Sequence, residues 1–227
     1  MGESMNRHFF RELANENPRL LQKMMQFNAP EASAPHLPVG KLWEAVARHA
    51  DLVALLDRTR TVSRSPQAPV YWGFTKEPHR LAFLSTDEID RLGRIVAAAI
   101  YAEELAKTVD RANVLAVKAF LGSDLYGYAL TRGRFQIGAL RQSLVGLFPD
   151  GTLAERLAWM ARLSVQTVRA AWPQELQAKT QEAFDALTWP QPPFEVAIDN
   201  GVRRQLWYFM KKIILREFDQ KWARYFG

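Results

Sequence analysis

Two helix-start signals constrain this sequence more than any other feature. Ser85 is followed three residues later by Glu88, and Thr152 is followed at the same spacing by Glu155. In such a capping box the hydroxyl accepts a hydrogen bond from the third amide of the helix, while the carboxylate accepts one from the capping residue's own amide. A long run of apolar residues with helical spacing follows each box. The boxes therefore predict two long helices, one opening at Ser85 and the other at Thr152.

Helical periodicity extends over most of the remaining chain. It predicts further helices in residues 6–27, 41–59, 112–121, 123–130, 136–148, 173–187 and 200–226. The exception is residues 70–84, where two apolar runs flank residues 75–78 and favour a short β-hairpin. The predicted fold class is all-α: a compact multi-helix domain with a short hairpin near 70–84 and an amphipathic basic helix at the C-terminus.

Two proline-rich stretches divide the chain into predicted units. Three prolines fall within residues 29–38 and three within residues 189–194. Because proline lacks the amide hydrogen and restricts the preceding residue, no helix is expected to cross either stretch. The predicted units are an N-terminal helical segment with its connector (1–38), a helical core domain (39–188), and a proline linker with the basic C-terminal helix (189–227).

The composition excludes several kinds of site. The chain contains no cysteine, so disulfides, thiolate zinc sites, iron–sulfur clusters and cysteine nucleophiles are ruled out. Residues 1–11 mix acidic and basic side chains without the apolar core of a signal peptide. The longest apolar run, residues 95–102, is far shorter than the roughly 20 residues that a membrane-spanning helix needs. We therefore expect a cytoplasmic protein without a transmembrane segment.

No arrangement of residues in the sequence points to catalysis. His8, His36, His49 and His79 do not show the spacing that places two metal ligands on one helix face. Nucleophile elbows, phosphate-binding glycine loops and dinucleotide fingerprints are absent from the sequence. Adjacent acidic pairs exist, but neighbouring side chains on a helix point about 100° apart and do not share a site. We therefore expect a non-enzymatic protein with no catalytic, cofactor-binding or metal-binding residues.

The positive charge is concentrated in the last predicted helix. The whole chain carries a net charge of +6, and residues 200–227 hold seven basic and two acidic side chains, which leaves +1 for everything else. The candidate partner-binding residues are Arg203, Arg204, Lys211, Lys212, Arg216, Lys221 and Arg224. An apolar stripe recurs every four residues along the same helix. It consists of Leu206, Met210, Ile214, Phe218, Trp222 and Phe226.

A basic amphipathic helix is consistent with three kinds of partner: nucleic acid, an anionic membrane surface, or an acidic protein. Its aromatic residues fall mostly on the apolar stripe, which disfavours stacking against single-stranded bases. A fourth interpretation is structural. The stripe then packs on the protein body and leaves Lys and Arg in water.

Residues 84–135 contain a recognisable order of helix, break, helix, Leu-Gly and aromatic-Ala-Leu. The matching residues are Leu84-Ser85, Leu92-Gly93, Ile100, Val109-Asp110-Arg111-Ala112-Asn113-Val114 and Leu121-Gly122-Ser123-Asp124-Leu125-Tyr126-Gly127-Tyr128-Ala129-Leu130. This order resembles the SctK family of bacterial type III secretion proteins (YscK, OrgA and MxiK relatives). Weaker similarities lie at residues 27–30 and 36–38. The chain departs from the family pattern at Arg111, where the family tends to have glycine, and at Leu37, which splits a His-Pro pair.

The resemblance implies a non-enzymatic adaptor of the type III secretion sorting platform, at the cytosolic face of the bacterial inner membrane. Its implied partners are the cytosolic domain of the membrane-ring protein (SctD-like) and the pod protein (SctQ-like) that carries the export ATPase. No nucleic acid is expected, and the oligomeric state is left open.

The motif residues themselves are expected to be structural, with Gly122 closing a helix in the left-handed conformation and the aromatic residues filling the joint to the next helix. They are Ser85, Glu88, Leu121, Gly122, Tyr126, Tyr128 and Leu130.

Overall fold

The structure is a computed structural model that describes residues 2–28, 49, 51–52 and 70–227. The predicted connector at 29–38 and nearly all of the predicted helix at 41–59 lie outside these residues. The described chain contains helices and no strands, so the predicted all-α fold is confirmed. In chain order the α-helices are α1 (Gly2–Glu16), α2 (Pro18–Asn28), α3 (Thr86–Ile100), α4 (Ala102–Lys107), α5 (Arg111–Leu121), α6 (Ser123–Thr131), α7 (Leu140–Leu144), α8 (Leu153–Arg169), α9 (Gln174–Lys179), α10 (Gln181–Asp185), α11 (Asn200–Glu217) and α12 (Ala223–Phe226). Short 3₁₀ helices occupy Glu77–Phe83, Gly133–Phe135 and Gln220–Trp222.

Both predicted capping boxes are present. The Ser85 hydroxyl accepts a hydrogen bond from the Glu88 amide at 3.3 Å, and the Glu88 carboxylate accepts one from the Ser85 amide at 2.9 Å. The same pair of bonds joins Thr152 and Glu155, at 3.3 and 2.7 Å. Each box satisfies amides that the first turn of its helix leaves without partners. The boxes therefore start α3 and α8, the two helices with the most extensive mutual contact.

Gly93 permits the close approach of α3 to its neighbours. A Cβ atom at this position would lie 3.0 Å from the Ala161 carbonyl oxygen on α8 and 2.7 Å from the Trp189 ring. The Trp189 indole also donates to Asp90 on α3 at 2.7 Å. The chain just after α10 is thus fastened to the central helix pair, and the absence of a side chain at Gly93 provides the space.

The predicted β-hairpin near 70–84 is wrong. After residues 70–76, which form no helix or strand, the chain forms the 3₁₀ helix Glu77–Phe83, with Pro78 in its first turn. The Asn28 side chain accepts from the Tyr71 amide at 3.0 Å and donates to the Tyr71 carbonyl at 2.7 Å. These are the bonds that a second strand would have made. The aromatic residues of this region pack as a cluster instead, with the Phe74 and Phe83 ring centroids 4.3 Å apart.

The predicted single C-terminal helix at 200–226 is also wrong beyond Glu217. Helix α11 begins at the Asp199 cap and ends where Phe218 becomes extended, at φ −108° and ψ 171°. Asp219 then caps the 3₁₀ helix by accepting from the Lys221 amide at 2.8 Å. This side-chain cap offers the backbone an alternative to a continuous helix. The break turns the chain so that α12 packs against α2 and the 77–83 helix, and Phe226 is buried with its ring centre 6.1 Å from that of Trp207.

One hydrophobic cluster runs through the described molecule and takes residues from all three predicted units. Met24 comes from the first, Ile95 from the second and Phe226 from the third, and all three are buried. The boundaries at 38/39 and 188/189 remain a prediction. The observed contacts place α1, α2, the central helices and the C-terminal helices around a shared core.

Candidate functional site

The outer face of helix α11 carries most of the predicted partner-binding residues. Its apolar stripe is turned inward: Leu206, Met210 and Ile214 are almost completely buried. The helix therefore packs on the body through this stripe, as the structural interpretation of its sequence predicted. Packing of this kind presents the polar side of α11 to solvent.

The structure separates the seven predicted basic residues into two groups. Three have partners within the described chain: Lys211 binds both Glu77 carboxylate oxygens at 2.9 Å, Lys221 lies 3.5 Å from Glu88, and Arg203 donates to Asn200 at 3.0 Å. The other four make no ion pair with any described residue. These are Arg204, Lys212, Arg216 and Arg224. The second group is the part of the predicted set that is available to a partner.

Arg204, Tyr208, Lys212 and Arg216 recur every four residues and form one ridge along α11, which we call the α11 ridge. Tyr208 is 61% exposed, although large aromatic side chains are usually covered. The sequence-based set does not include Tyr208, because that set contains only the basic residues of the helix. The signal that could have added Tyr208 to the set is its position four residues after Arg204 and four before Lys212, which puts it on the same helix face as those cations.

A groove of about 330 Å³ lies between α11 and the segment leading into α7. Its floor contains Ile137, Leu140 and Phe209, which are buried apolar residues. Tyr208 and Lys212 stand on its α11 side, so the ridge forms one wall. We call this feature the α11 groove; its remaining lining residues are Gln136, Ala139 and Gln205. The groove has an apolar floor and a polar, cationic rim.

A second hollow of about 400 Å³ continues from the first and shares Ile137 with it. Arg141 lines it, forms an ion pair with Glu103 and donates from Nε to the Ile100 carbonyl at 3.0 Å. Arg134 also lines it, with its guanidinium 4.4 Å from the centre of the Phe135 ring. Phe135 is 72% exposed. An exposed aromatic ring and a cation therefore lie next to the second hollow.

Two acidic residues of the described chain that lie near this surface are already paired. Glu103 binds Arg141, and Glu217 binds Arg132 at 3.2 Å. Lys212, Arg216 and Arg134 have no ion pair within the described chain. The local charge that remains unbalanced is therefore positive, which favours an anionic partner.

A second exposed surface lies on helix α5. Ala112, Leu115, Ala116 and Ala119 follow the i, i+3, i+4, i+7 pattern of a core-facing stripe, yet all four are exposed and Leu115 is 57% accessible. Only Val117 and Leu121 of this helix are buried. This exposed, uncharged stripe is a candidate protein contact surface. We call these four residues the α5 face.

Five of the family-motif residues, Leu121 to Leu130, lie at the joint between α5 and α6 or on α6, whereas Ser85 and Glu88 form the cap of α3. Gly122 ends α5 by donating from its amide to the Lys118 carbonyl at 2.8 Å. Its φ of 79° is positive as predicted, but its ψ of 162° lies outside the left-handed helical region that we expected. The difference arises because α6 begins directly after Gly122, so the chain extends at this residue before it turns into the next helix.

Of the two motif tyrosines, Tyr128 reaches the lining of the α11 groove and Tyr126 contacts α5. Tyr128 is buried and donates to the Gln136 side chain at 3.0 Å. Burial raises the pKa of Tyr128 to about 12, the negative charge of Glu217 acts in the same direction, and the cations Arg132 and Arg216 oppose the shift. Tyr126 is half-buried under the Lys118 ammonium, 5.0 Å from its ring centre. Leu121 is buried and Leu130 is half-buried.

The histidines are dispersed in the described structure. His79 is buried with Nδ1 2.5 Å from the Tyr71 hydroxyl and 3.0 Å from the Gly73 carbonyl oxygen. His8 lies 3.1 Å from Glu12 on the surface of α1, and His49 is exposed. His36 falls outside the described residues. Over the described ranges, no cluster of three or more His, Asp or Glu residues is arranged to hold a metal ion.

None of the described helices has the length and apolar character that crossing a membrane requires. Comparisons of the chain with protein families, with curated proteins and with solved structures find no match.

Proposed function

We propose that this chain is a non-enzymatic adaptor of a bacterial type III secretion sorting platform. It links the cytosolic domain of the membrane-ring protein (SctD-like) to the pod protein (SctQ-like) and, through that protein, to the export ATPase. It acts in the cytoplasm, at the cytosolic face of the inner membrane. The proposal joins the resemblance at residues 84–135 to the exposed surfaces of the fold.

The observation that carries the proposal is the presence of two separate exposed surfaces on one packed helical body. The α5 face is uncharged and apolar, whereas the α11 ridge and groove combine apolar and cationic groups. They share no residue. An adaptor requires at least two contact surfaces that differ in chemistry, because each must select a different partner.

Both surfaces rest on the same rigid support. Helix α8 contacts both α5 and α11, and it packs along α3. Most of the α3 and α8 side chains at these contacts are buried. Partners bound to α5 and to α11 would therefore be held at a fixed distance, which is what a structural linker requires.

The main rival function is binding of nucleic acid or of an anionic membrane surface through the basic C-terminal helix. The α11 ridge favours it, because Tyr208 lies between Arg204 and Lys212 as a stacking residue between two phosphate-binding cations would. The membrane version requires a free apolar face that enters the lipid interface. Leu206, Met210 and Ile214 supply the only such stripe of α11, and they are buried in the body.

Variants on the two surfaces test the proposal. We expect biolayer interferometry with the immobilised ring-protein domain and pod protein from the same genome to detect binding to both. Leu115→Glu and Lys212→Glu should each lower the affinity for one of the two partners by about tenfold and leave the affinity for the other unchanged. Arg19→Glu, an exposed charge reversal on α2, is the matched control. Absence of binding to both proteins would contradict the adaptor function.

A further inference from the structure

We propose that the α11 groove binds an acidic amphipathic helix of a partner protein. The apolar side of that helix enters the groove, and its carboxylates pair with the cations of the α11 ridge and with Arg134. This inference rests on the proposed function for the existence of a protein partner, and it adds the chemistry by which one partner is recognised.

The floor of the groove fits aliphatic side chains. Ile137 and Leu140 approach from one side and Phe209 from the other, and all three are packed into the core behind them. A floor of this kind is already in place before a partner arrives, because its side chains are held by neighbours on the inner side. The volume of about 330 Å³ accommodates a few side chains of a ligand and leaves the rest of the ligand outside. That combination is typical of an amphipathic helix that lies along a groove with its apolar side inward.

The spacing of the ridge matches a helical ligand. Tyr208, Lys212 and Arg216 follow one another every four residues, which is about one helical turn and about 6 Å along the helix axis. Carboxylates spaced four residues apart on an adjacent helix recur at the same interval. A partner helix aligned with α11 can therefore pair two acidic residues, spaced four apart, with Lys212 and Arg216. The Tyr208 ring then packs against the same partner helix one turn away.

The charge of the surroundings selects an acidic ligand over a basic or neutral one. Glu103 and Glu217, the nearby acidic residues, are neutralised by Arg141 and Arg132. The cations that line or border the groove without an ion pair in the described chain are Lys212, Arg216 and Arg134. These cations would repel the charged side chains of a basic helix, whereas they can pair with the carboxylates of an acidic one.

The apolar floor also favours protein over nucleic acid. A nucleic acid would use the phosphate-binding cations and the Tyr208 ring but would leave Ile137 and Leu140 without an apolar partner. The experiment must therefore distinguish nucleic-acid binding at this surface from binding of an acidic helix. Binding of a second copy of the chain is another outcome that it must distinguish.

The experiment selects ligands on the full-length protein. A displayed library of helices about 18 residues long carries Leu, Ile or Phe at i, i+3, i+4 and i+7 and Glu or Asp elsewhere. Selected peptides are synthesised and their affinities measured by fluorescence anisotropy. We expect Lys212→Glu to weaken them by about tenfold or more, and Ala139→Trp to do the same by filling the groove from its exposed wall. Arg19→Glu, which changes the net charge equally on a distant helix, should leave affinity within about twofold.

Several outcomes would overturn the inference. The first is that the selection yields no binding peptide. The second is that the two groove variants bind the selected peptides as tightly as the wild type does. The third is that peptides with Lys in place of Glu bind as tightly as the acidic ones. Tighter Lys212-dependent binding of oligothymidylate or of phosphatidylglycerol vesicles would assign the ridge to nucleic acid or lipid instead. Sedimentation that shows a dimer lost in Lys212→Glu would assign the groove to a second copy.

The inference and the proposed function fail separately. If the ring or pod protein binds but no acidic helix binds at the groove, the adaptor function stands and the inference falls. If acidic helices bind at the groove but neither secretion protein binds the chain, the inference stands and the adaptor function falls.

Discussion

The indole of Trp222 donates a 2.8 Å hydrogen bond to Oε1 of Glu88. The other carboxylate oxygen of Glu88 accepts from the Ser85 amide, so one side chain completes the cap of α3 and holds the last turns of the chain. Burial alone would raise the pKa of Glu88, but the hydrogen bonds from Ser85 and Trp222 and the charge of Lys221 outweigh it and lower the pKa. The C-terminal element is thus fastened to the start of the central helix.

This connection predicts that Glu88→Ala destabilises the protein by roughly 1–3 kcal/mol, because it removes the cap and leaves the buried Trp222 N–H without its acceptor. Glu155→Ala is the matched control, since Glu155 occupies the same position in the second capping box without a tryptophan bonded to it. Urea unfolding of both variants measures the difference. Equal losses would mean that the bond to Trp222 contributes nothing.

The sequence predicts the start of α3 and α8 well because a capping box is a local device. All of its atoms lie within four residues, and no other part of the chain is needed to form it. The end of α11 is different. Phe218 continues the apolar spacing of four residues, so nothing in the sequence pattern marks the end of the helix there. The break is favoured by the Asp219 cap, the hydrogen bond from Trp222 to Glu88 and the burial of Phe226.

The same distinction applies to the candidate site. The sequence identifies its cations, since charge density along one helix can be counted directly. It does not identify the floor of the groove, because Ile137 and Phe209 are far apart in the chain and meet only after folding. The hairpin prediction fails for a related reason: Asn28, distant in sequence, supplies the bonds that Tyr71 was expected to make with a strand.

Gly122→Val should lower the free energy of unfolding by about 1 kcal/mol or more, because a β-branched residue resists the positive φ of 79°. Thermal unfolding monitored by circular dichroism measures the change. Gly146→Val is the control, since Gly146 has no positive φ and open space around its Cβ position. An unchanged melting temperature for Gly122→Val would show that the joint between α5 and α6 does not need this backbone conformation.

Gly93→Ala should destabilise the central helix pair by about 1–3 kcal/mol, because the added methyl meets the Trp189 ring and the Ala161 carbonyl oxygen. Gly127→Ala is its control: it lies within α6 with nothing near its Cβ position, so alanine there should be neutral or stabilising. Chemical denaturation compares the two. A Gly93→Ala protein as stable as the wild type would contradict the close packing around this residue.

His79 should make stability depend on pH near neutrality. Burial lowers the pKa of His79, the hydrogen bond to the Gly73 carbonyl opposes the shift, and the charge of Lys76 adds to it. The unfolded chain therefore binds the proton first as the pH falls below about 6.5, and the folded state loses up to about 1.4 kcal/mol per pH unit until His79 is itself protonated. Stability should be fully retained above that pH.

Urea titrations between about pH 7.5 and about pH 5.5 test this expectation. His79→Gln should flatten the pH dependence over that interval, whereas His49→Gln, at an exposed position, should leave it as in the wild type. Identical pH profiles for the wild type and His79→Gln would show that His79 does not contribute to it.

Sedimentation velocity of a mixture of the purified chain, the cytosolic domain of the ring protein and the pod protein tests the adaptor function most directly. We predict one species that contains all three proteins, and no joint species when the chain is left out or carries both Leu115→Glu and Lys212→Glu. Sedimentation of the wild-type chain separately from both proteins would contradict the adaptor function.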